Sequence, residues 1–163
     1  MTPKTILYVE DSEVDAYFVR RTLGALGAPT TLHLVERGDD AIKYLAGAGM
    51  FADRERHPLP AMVLLDLWLP GQQGFDVLEW IRGQSQFHSL PVVIFTASDL
   101  DSDRENAQRL GASDYIVKPN DLSTLPALMS LLLKQFLGIE VPVEKMPVHP
   151  GESTGGEPTR SPG

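Results

Sequence analysis

The chain has 163 residues, of which 42% are apolar, so it has room for one domain with a sizeable core. Its formal net charge of -8, without a run of Lys and Arg, argues against nucleic acid or an anionic membrane as the main partner. The absence of cysteine excludes disulfides and thiolate metal sites and favours a cytoplasmic location. Neither a signal-peptide pattern nor an apolar run of about 18 residues is present in the sequence.

Short apolar runs rich in strand formers alternate with segments in which apolar residues recur every three or four positions. In chain order the predicted elements are strand 5–10, helix 13–26, strand 32–35, helix 41–45, strand 61–65, helix 75–84, strand 91–95, helix 101–110, strand 115–117 and helix 121–137. Pro126 should break or kink the first turn of the last helix, so we expect its regular part after this proline.

Two segments lie outside this alternation. Residues 49–60 are polar and rich in turn formers, which predicts an unusually long, extended loop. From Gly138 onward the chain is dense in Pro, Gly, Ser and Glu, which bury too little apolar surface to order a segment. We therefore expect one domain over residues 4–137 and a flexible tail over residues 138–163.

Five strands alternating with five helices predict a parallel sheet covered on both faces, with the flavodoxin-like strand order 2-1-3-4-5. In such a sheet, ligands bind outside the carboxyl ends of the strands, where the strand order reverses. Polar residues lie at the ends of four of the predicted strands, at that edge: Glu10, Asp11, Asp66, Thr96 and Lys118. Asp66 comes directly after the continuously apolar run 61–65, so its carboxylate should emerge at this edge.

The acids at the strand ends predict a cation site. Three carboxylates within about 5 Å of one another repel by about 3 kcal/mol per pair at an effective dielectric constant near 20. Mg2+ prefers about six oxygen ligands and would relieve this repulsion. We expect Asp11 and Asp66 to bind it directly, Glu10 to reach it through water, and the backbone carbonyl of Trp68 to complete the protein ligands.

A carboxylate beside a cation and a lysine also suits phosphoryl chemistry. The oxygens of a phosphoryl group on Asp66 could be neutralised by Mg2+, by Lys118, by the hydroxyl of Thr96 and by the amide of Ala97. Lys118 would act as a point charge in this contact. The sequence therefore predicts that Asp66 is a phosphoryl acceptor.

Four segments, VEDSEVDA, LLDLWLPGQQGFDVL, PVVIFTAS and GASDYIVKP, together resemble the receiver domain of bacterial response regulators over about residues 4–137. This resemblance implies that Asp66 takes phosphate from a histidine kinase and that Glu10 and Asp11 hold Mg2+. It also implies a switch, in which the hydroxyl of Thr96 turns toward the phosphate and Tyr115 rotates inward. The family's cis-proline would correspond to Pro119.

The ED-S-x-x-D opening and the long segment 49–60 further resemble the stand-alone response regulators that pair with phytochrome-type photoreceptor kinases. We expect a sensor histidine kinase, such as a bacteriophytochrome, as one partner. No output domain is expected after the last helix, so the signal should pass to a downstream protein by surface contact. The protein is expected to accept phosphate and not to be an enzyme acting on other substrates.

The same residues also argue for or against other functions. A phosphatase of the haloacid dehalogenase type needs a second acid two residues after the acceptor, where Trp68 stands. A phosphorelay intermediate and a non-phosphorylated pseudo-receiver remain open, although a pseudo-receiver would be expected to lack an acid or Lys118. The indole of Trp68 could pack, contact a partner, or shield the acyl phosphate from water.

Two further expectations concern side chains away from the predicted site. The four histidines show no paired spacing, which favours surface or structural roles for His33, His57, His88 and His149. The end of the last helix carries more apolar residues than one helix face can bury, which predicts a homodimer interface. These residues are Leu132, Leu133, Phe136, Leu137 and Ile139.

Overall fold

The computed structural model describes residues 2–142, which form one parallel sheet in the order β2-β1-β3-β4-β5. The strands are β1 (Lys4–Val9), β2 (Thr30–Val35), β3 (Met62–Leu65), β4 (Val92–Thr96) and β5 (Asp114–Val117). The helices are α1 (Glu13–Leu26), α2 (Gly38–Ala46), α3 (Gly74–Gly83), α4 (Asp101–Arg109) and α5 (Leu125–Leu137). The predicted flavodoxin-like architecture and strand order are therefore confirmed.

The central strands are buried on both faces because helices cover the sheet from either side. Along β1, Leu7 and Val9 pack under α2 and α3, whereas Ile6 and Tyr8 pack under α1 and α5. This alternation follows from the two-residue period of a strand. It produces two apolar cores, one on each face of the sheet.

The register of β1 and β3 brings the candidate acids together. Val9 pairs with Leu65, so the residues that follow, Glu10 and Asp66, leave the sheet side by side. The amide of Asp66 donates a hydrogen bond to the carbonyl of Val9 at 3.1 Å, and that of Glu10 donates to the carbonyl of Val35 at 3.0 Å. The backbone thus extends the sheet to the point where the acids emerge.

Helix α1 has the bounds that the sequence predicts. Ser12 caps its start, with its hydroxyl accepting a hydrogen bond from the amide of Asp15 at 3.3 Å. Gly27 ends it in the left-handed conformation, with φ at 64°. Strong signals at both ends therefore defined this helix well.

Helix α5 differs from its prediction. Its regular part begins at Leu125, so Pro126 lies inside the first turn and does not precede the helix. The missing N–H of proline costs nothing there, because the first amides of a helix have no intrahelical acceptor. A short 3-10 turn over Leu122–Thr124 leads into the helix.

The segment before β3 is long, as predicted, but it is packed against the domain. A 3-10 turn over Gly49–Phe51 buries the ring of Phe51. The guanidinium of Arg54 donates to the carbonyls of Tyr44 at 2.7 Å and Leu45 at 2.9 Å. These carbonyls lie in the last turn of α2, and their contacts with Arg54 anchor the segment to this helix.

The apolar residues that predicted a dimer interface are used within the domain. Leu132, Leu133 and Leu137 are at most 4% exposed, and Phe136 and Ile139 pack partly against the same core. The expected apolar surplus is not found for these residues, because α5 packs against both α1 and the sheet and so buries more than one face. A large apolar side chain of α5 that remains exposed is Leu131.

The predicted tail begins with residues that contact the domain. Gly138 ends α5 with φ at 64°, and Ile139 and Val141 pack against the core between α1 and α5. Residues 143–163, which form most of the predicted flexible tail, lie outside the described part of the chain. Within the described part, no helix has both the length and the apolar character needed to cross a membrane.

Candidate functional site

Asp66 follows β3 at the carboxyl edge of the sheet, and its side chain is only 7% exposed. Its Oδ1 accepts hydrogen bonds from the amides of Leu67 at 2.7 Å and Trp68 at 3.4 Å. Gly74 packs so closely that a Cβ there would lie 2.2 Å from the carbonyl oxygen of Asp66. The turn after β3 therefore requires glycine at the start of α3 and holds the carboxylate in one place.

Glu10, Asp11 and Asp66 form a cluster of three carboxylates. Each offers one oxygen, and these oxygens all lie within 4.8 Å of one another. Glu10 and Asp66 are buried, whereas Asp11 is exposed and leaves the cluster open to solvent. A compact set of carboxylate oxygens repels itself unless a cation is present, and hard divalent cations prefer oxygen ligands. The residues fit a divalent metal ion.

Lys118 reaches the same cluster from the end of β5. Its ammonium lies 2.5 Å from Oε2 of Glu10, 2.7 Å from Oδ2 of Asp15 and 3.0 Å from Oδ2 of Asp66. Burial alone would lower the pKa of Lys118, but its bonds to Asp15 and Glu10 and the charge of Asp66 raise it above the usual value. The ammonium is thus held in its charged form beside Asp66.

Asp15 is a residue of this site that the sequence analysis did not identify. It lies in the first turn of α1 and is 103 positions from Lys118 in the chain. In the sequence, Asp15 is the last acid of the ED-S-x-x-D pattern, which supports the family resemblance but indicates no role for Asp15 itself. A contact over this separation cannot be derived from a local pattern.

Glu10 is held by several donors. Its Oε1 accepts from the amide of Ser12 at 3.0 Å, and its Oε2 accepts from Lys118 and, at 3.4 Å, from the hydroxyl of Tyr8. Burial raises the pKa of Glu10 to about 7, while its bonds to Lys118 and Ser12 oppose this rise. Burial and the charge of Glu10 also raise the pKa of Tyr8, so its phenol remains a donor.

The predicted switch residues lie on neighbouring strands: Thr96 ends β4, and Tyr115 is the second residue of β5, where it pairs with Ile94. Thr96 is fully buried, and its Oγ1 accepts from the amide of Ser98 at 3.4 Å. Tyr115 points inward, with its hydroxyl donating to the carbonyl of Ser98 at 2.8 Å. The guanidinium carbon of Arg104 lies 4.7 Å from the centre of the Tyr115 ring. The backbone amide of Lys118 joins this region by donating to the carbonyl of Thr96 at 2.7 Å.

Of three further expectations at this site, two stay predictions and one, a cis peptide bond before Pro119, is not met. Trp68 and Ala97 are both exposed beside the site, and the roles given to the Trp68 carbonyl and the Ala97 amide stay predictions. No peptide bond among residues 2–142 is cis, so the bond before Pro119 is trans and the expected cis-proline is not found. The trans isomer is the one that bonds before proline favour by about 0.5–1 kcal/mol.

Two of the histidines are neighbours away from this site, although their sequence spacing gave no sign of it. The rings of His33 on β2 and His57 in the long segment have centres 6.3 Å apart. Both pack against the ring of Tyr44, at 5.9 and 5.7 Å. This aromatic cluster agrees with the structural role that was expected for them. His149 lies outside the described residues.

Comparison with known proteins agrees with this geometry. The sequence model of the response regulator receiver domain matches residues 6–130. The chain is 32% identical over 123 residues to the response regulator Rcp1 of Synechocystis sp., an alignment that covers 76% of this chain and 82% of Rcp1. Several other relatives are longer, and the chain covers between 43% and 54% of their length.

Two solved structures are similar to most of this chain. The phosphorylated cyanobacterial phytochrome response regulator RcpA superposes with a TM-score of 0.77 and 28% identity, covering 86% of this chain and 99% of RcpA. The Mn2+-bound form of Rcp1 gives a TM-score of 0.75 and 29% identity, covering 86% of this chain and all of Rcp1. With its motifs, its carboxylate cluster and its lysine in place, the chain belongs to the response regulator receiver domain family.

Proposed function

We propose that this protein is a response regulator whose Asp66 accepts a phosphoryl group from a histidine kinase. The observation that carries the proposal is the 3.0 Å contact between the ammonium of Lys118 and Oδ2 of Asp66, beside two further carboxylates. Phosphoryl transfer depends mainly on positioning and on stabilising the charge of the transferred group. A fixed nucleophilic carboxylate, a lysine and a cluster of carboxylates that can hold a metal ion supply these functions.

The metal in this proposal is Mg2+, held by Asp11 and Asp66, with Glu10 acting through water and the Trp68 carbonyl as a backbone ligand. The support is an all-oxygen donor set, which suits Mg2+ better than softer metals. Rcp1, a relative, has been crystallised with Mn2+. When bound, the ion would neutralise charge on the phosphoryl oxygens, together with Lys118 and the groups of Thr96 and Ala97.

The output in this proposal is a change at the surface around β5 and α4. Phosphorylation of Asp66 would draw the hydroxyl of Thr96 toward the phosphate and favour the inward position of Tyr115. The support is that both residues form a hydrogen bond with Ser98, in the loop that follows β4. A downstream protein that contacts this surface would then read the state of Asp66.

The kinase in this proposal is of the phytochrome type. The similar protein RcpA supports this, because its structure is described as that of a cyanobacterial phytochrome response regulator. Self-association through α5 is also proposed, with the exposed Leu131 as the apolar side chain available for it. Light scattering with and without beryllofluoride tests the self-association.

The central test is the incubation of the full chain with Mg2+ and a small acyl phosphate, followed by intact-mass spectrometry. We expect a gain of one phosphoryl group, which EDTA prevents. Asp66→Asn should abolish the gain, whereas Asp76→Asn, which removes an exposed acid from the first turn of α3, should retain it. No gain in the wild type, or an equal gain in Asp66→Asn, would refute the proposal.

The choice of kinase has its own test. Phosphotransfer from a panel of purified, autophosphorylated histidine kinases should favour phytochrome-type kinases at short reaction times. Preferential transfer from a kinase of another sensor class would refute the phytochrome pairing. It would leave the phosphoacceptor role of Asp66 intact.

A further inference from the structure

Two sets of carboxylates overlap in the site but are not identical. Glu10, Asp11 and Asp66 form the cluster that fits a metal ion. The ammonium of Lys118 contacts Glu10, Asp66 and Asp15. Asp15 is therefore the partner of Lys118 that does not belong to the three carboxylates that fit a metal ion.

The position of Asp15 is set by α1. Its amide donates to the capping hydroxyl of Ser12 at 3.3 Å, which places its carboxylate in the first helical turn. The side chain is 39% exposed, while that of Lys118 is 14% exposed. Asp15 thus contacts the lysine from a more exposed position than Glu10, whose side chain is 1% exposed.

A lysine ammonium has three donors, and the three carboxylates supply one acceptor each. The four-carbon stem of lysine is flexible, so the place of its charge depends on these contacts. A cation bound by the three clustered carboxylates would compete with Lys118 for the oxygens of Glu10 and Asp66. It would also repel the ammonium. Asp15 would not be among its ligands, so its contact with Lys118 would persist.

We propose that Asp15 is a positioning residue that holds the ammonium of Lys118 against Asp66 from the side of α1. The inference deepens the proposed phosphoacceptor function and rests on it for its effect on phosphoryl transfer. Asp15 itself does not touch the transferred group. It acts through Lys118, whose charge meets the phosphoryl oxygens.

A purely structural role for Asp15 has a matched control in the same helix. Acids in the first turn of a helix stabilise it through the helix dipole, and Glu13 and Asp15 both do so in α1. Glu13 is exposed and lies two positions away. Glu13→Gln therefore removes the same charge from the same turn without touching Lys118, and it isolates the contact made by Asp15.

The first test follows the ammonium directly by NMR. Exchange of the Lys118 ammonium protons with water is measured in the full, metal-free chain. We expect slow exchange in the wild type and in Glu13→Gln, and exchange about tenfold faster in Asp15→Asn, since the charged acceptor of Lys118 is replaced by a neutral amide oxygen that binds it more weakly. Asp15→Ala, which favours the helix, is a second neutral variant in case the first does not fold. Far-UV circular dichroism checks the fold of each.

The second test measures phosphorylation by a small acyl phosphate at saturating Mg2+. We expect the maximal rate to fall about tenfold in Asp15→Asn with little change in the donor concentration for half-maximal rate, and to recover partly in Asp15→Glu. If Asp15→Asn matched Glu13→Gln in the exchange measurement, or in the rate when the wild type does take up phosphate, the inference would be overturned. The exchange measurement needs no phosphodonor, so a failure of Asp66 to accept phosphate would be recognised separately.

Discussion

The hydroxyl of Tyr115 lies 2.8 Å from the carbonyl oxygen of Ser98 and ties β5 to the loop between β4 and α4. On the outer side of the ring, Arg104 packs over its face and donates to the carbonyl of Tyr115 at 3.3 Å. The same loop begins beside Thr96, the residue proposed to sense the phosphate. A change at Thr96 can therefore reach the surface through a single loop.

Tyr115→Phe removes this hydrogen bond and keeps the ring. We expect the free energy of unfolding to fall by about 0.5–1.5 kcal/mol, the net value of one such bond. Beryllofluoride should also shift the NMR signals of α4 and β5 less completely in this variant. The control is Tyr17→Phe, which removes a hydroxyl from an exposed tyrosine of α1. Equal stability losses in the two variants would contradict the role of the Ser98 contact.

The glycines at the two ends of α3 should respond differently to alanine. A Cβ on Gly74 would lie 2.2 Å from the carbonyl oxygen of Asp66, whereas a Cβ on Gly83 would meet no atom within 4 Å. We expect Gly74→Ala to lose about 1–3 kcal/mol of unfolding free energy through overpacking and to displace Asp66. Gly83→Ala should be neutral or slightly stabilising. Urea unfolding and Mg2+ titration of both variants check this.

The indole of Trp68 is 59% exposed and follows Asp66 by two positions. We expect it to shield the acyl phosphate from attacking water, so Trp68→Asn should lose its phosphate several-fold faster. The rate is measured from the decay of the phosphorylated mass after removal of the phosphodonor. Leu59→Asn, which alters an exposed apolar residue before β3, is the control. An unchanged or slower decay in Trp68→Asn would show that shielding does not occur.

The histidine cluster predicts how stability depends on pH. Burial, followed by the charges of His57 and Arg20, lowers the pKa of His33 below the usual value for a histidine. The unfolded chain then binds a proton at a higher pH than the folded chain does. The free energy of unfolding should therefore decrease as the pH falls below about 6.5 and through the lower pKa of the folded state.

His33→Gln tests this pH dependence by removing the titrating ring. We expect its unfolding free energy to vary less between pH 7 and 5 than that of the wild type, by urea titration at each pH. His88→Gln, which removes an exposed imidazole after α3, is the control. A wild-type slope in His33→Gln would contradict the prediction.

The accuracy of the sequence-based elements depended on local signals. Helix α1 was predicted to the residue because Ser12 and Gly27 mark its ends. The start of α5 was misplaced because Pro126 is unfavourable inside a helix but harmless in the first turn. The sequence predicted the length of the segment before β3 but not its packing against the domain. That packing depends on hydrogen bonds from Arg54 to carbonyls of α2, which is a separate element.

The sequence could predict those residues of the candidate site that lie at the carboxyl ends of the parallel strands. Their carboxyl ends share one edge, so Glu10, Asp66 and Lys118 had to lie near one another once the strand order was inferred. The apolar residues at the end of α5 leave less exposed apolar surface than expected, because apolar content does not say which element covers a helix face. Leu132 and Leu133 are covered by their own domain.

The sequence by itself determined the alternation of strands and helices and the identity of the acids that follow the strands, because both depend on residue periods and local caps. The tertiary structure decided which of these groups touch. It joined Asp15 to Lys118 over 103 positions and turned Tyr115 inward onto Ser98. Such contacts depend on how whole helices pack on the sheet, and no local pattern carries that information.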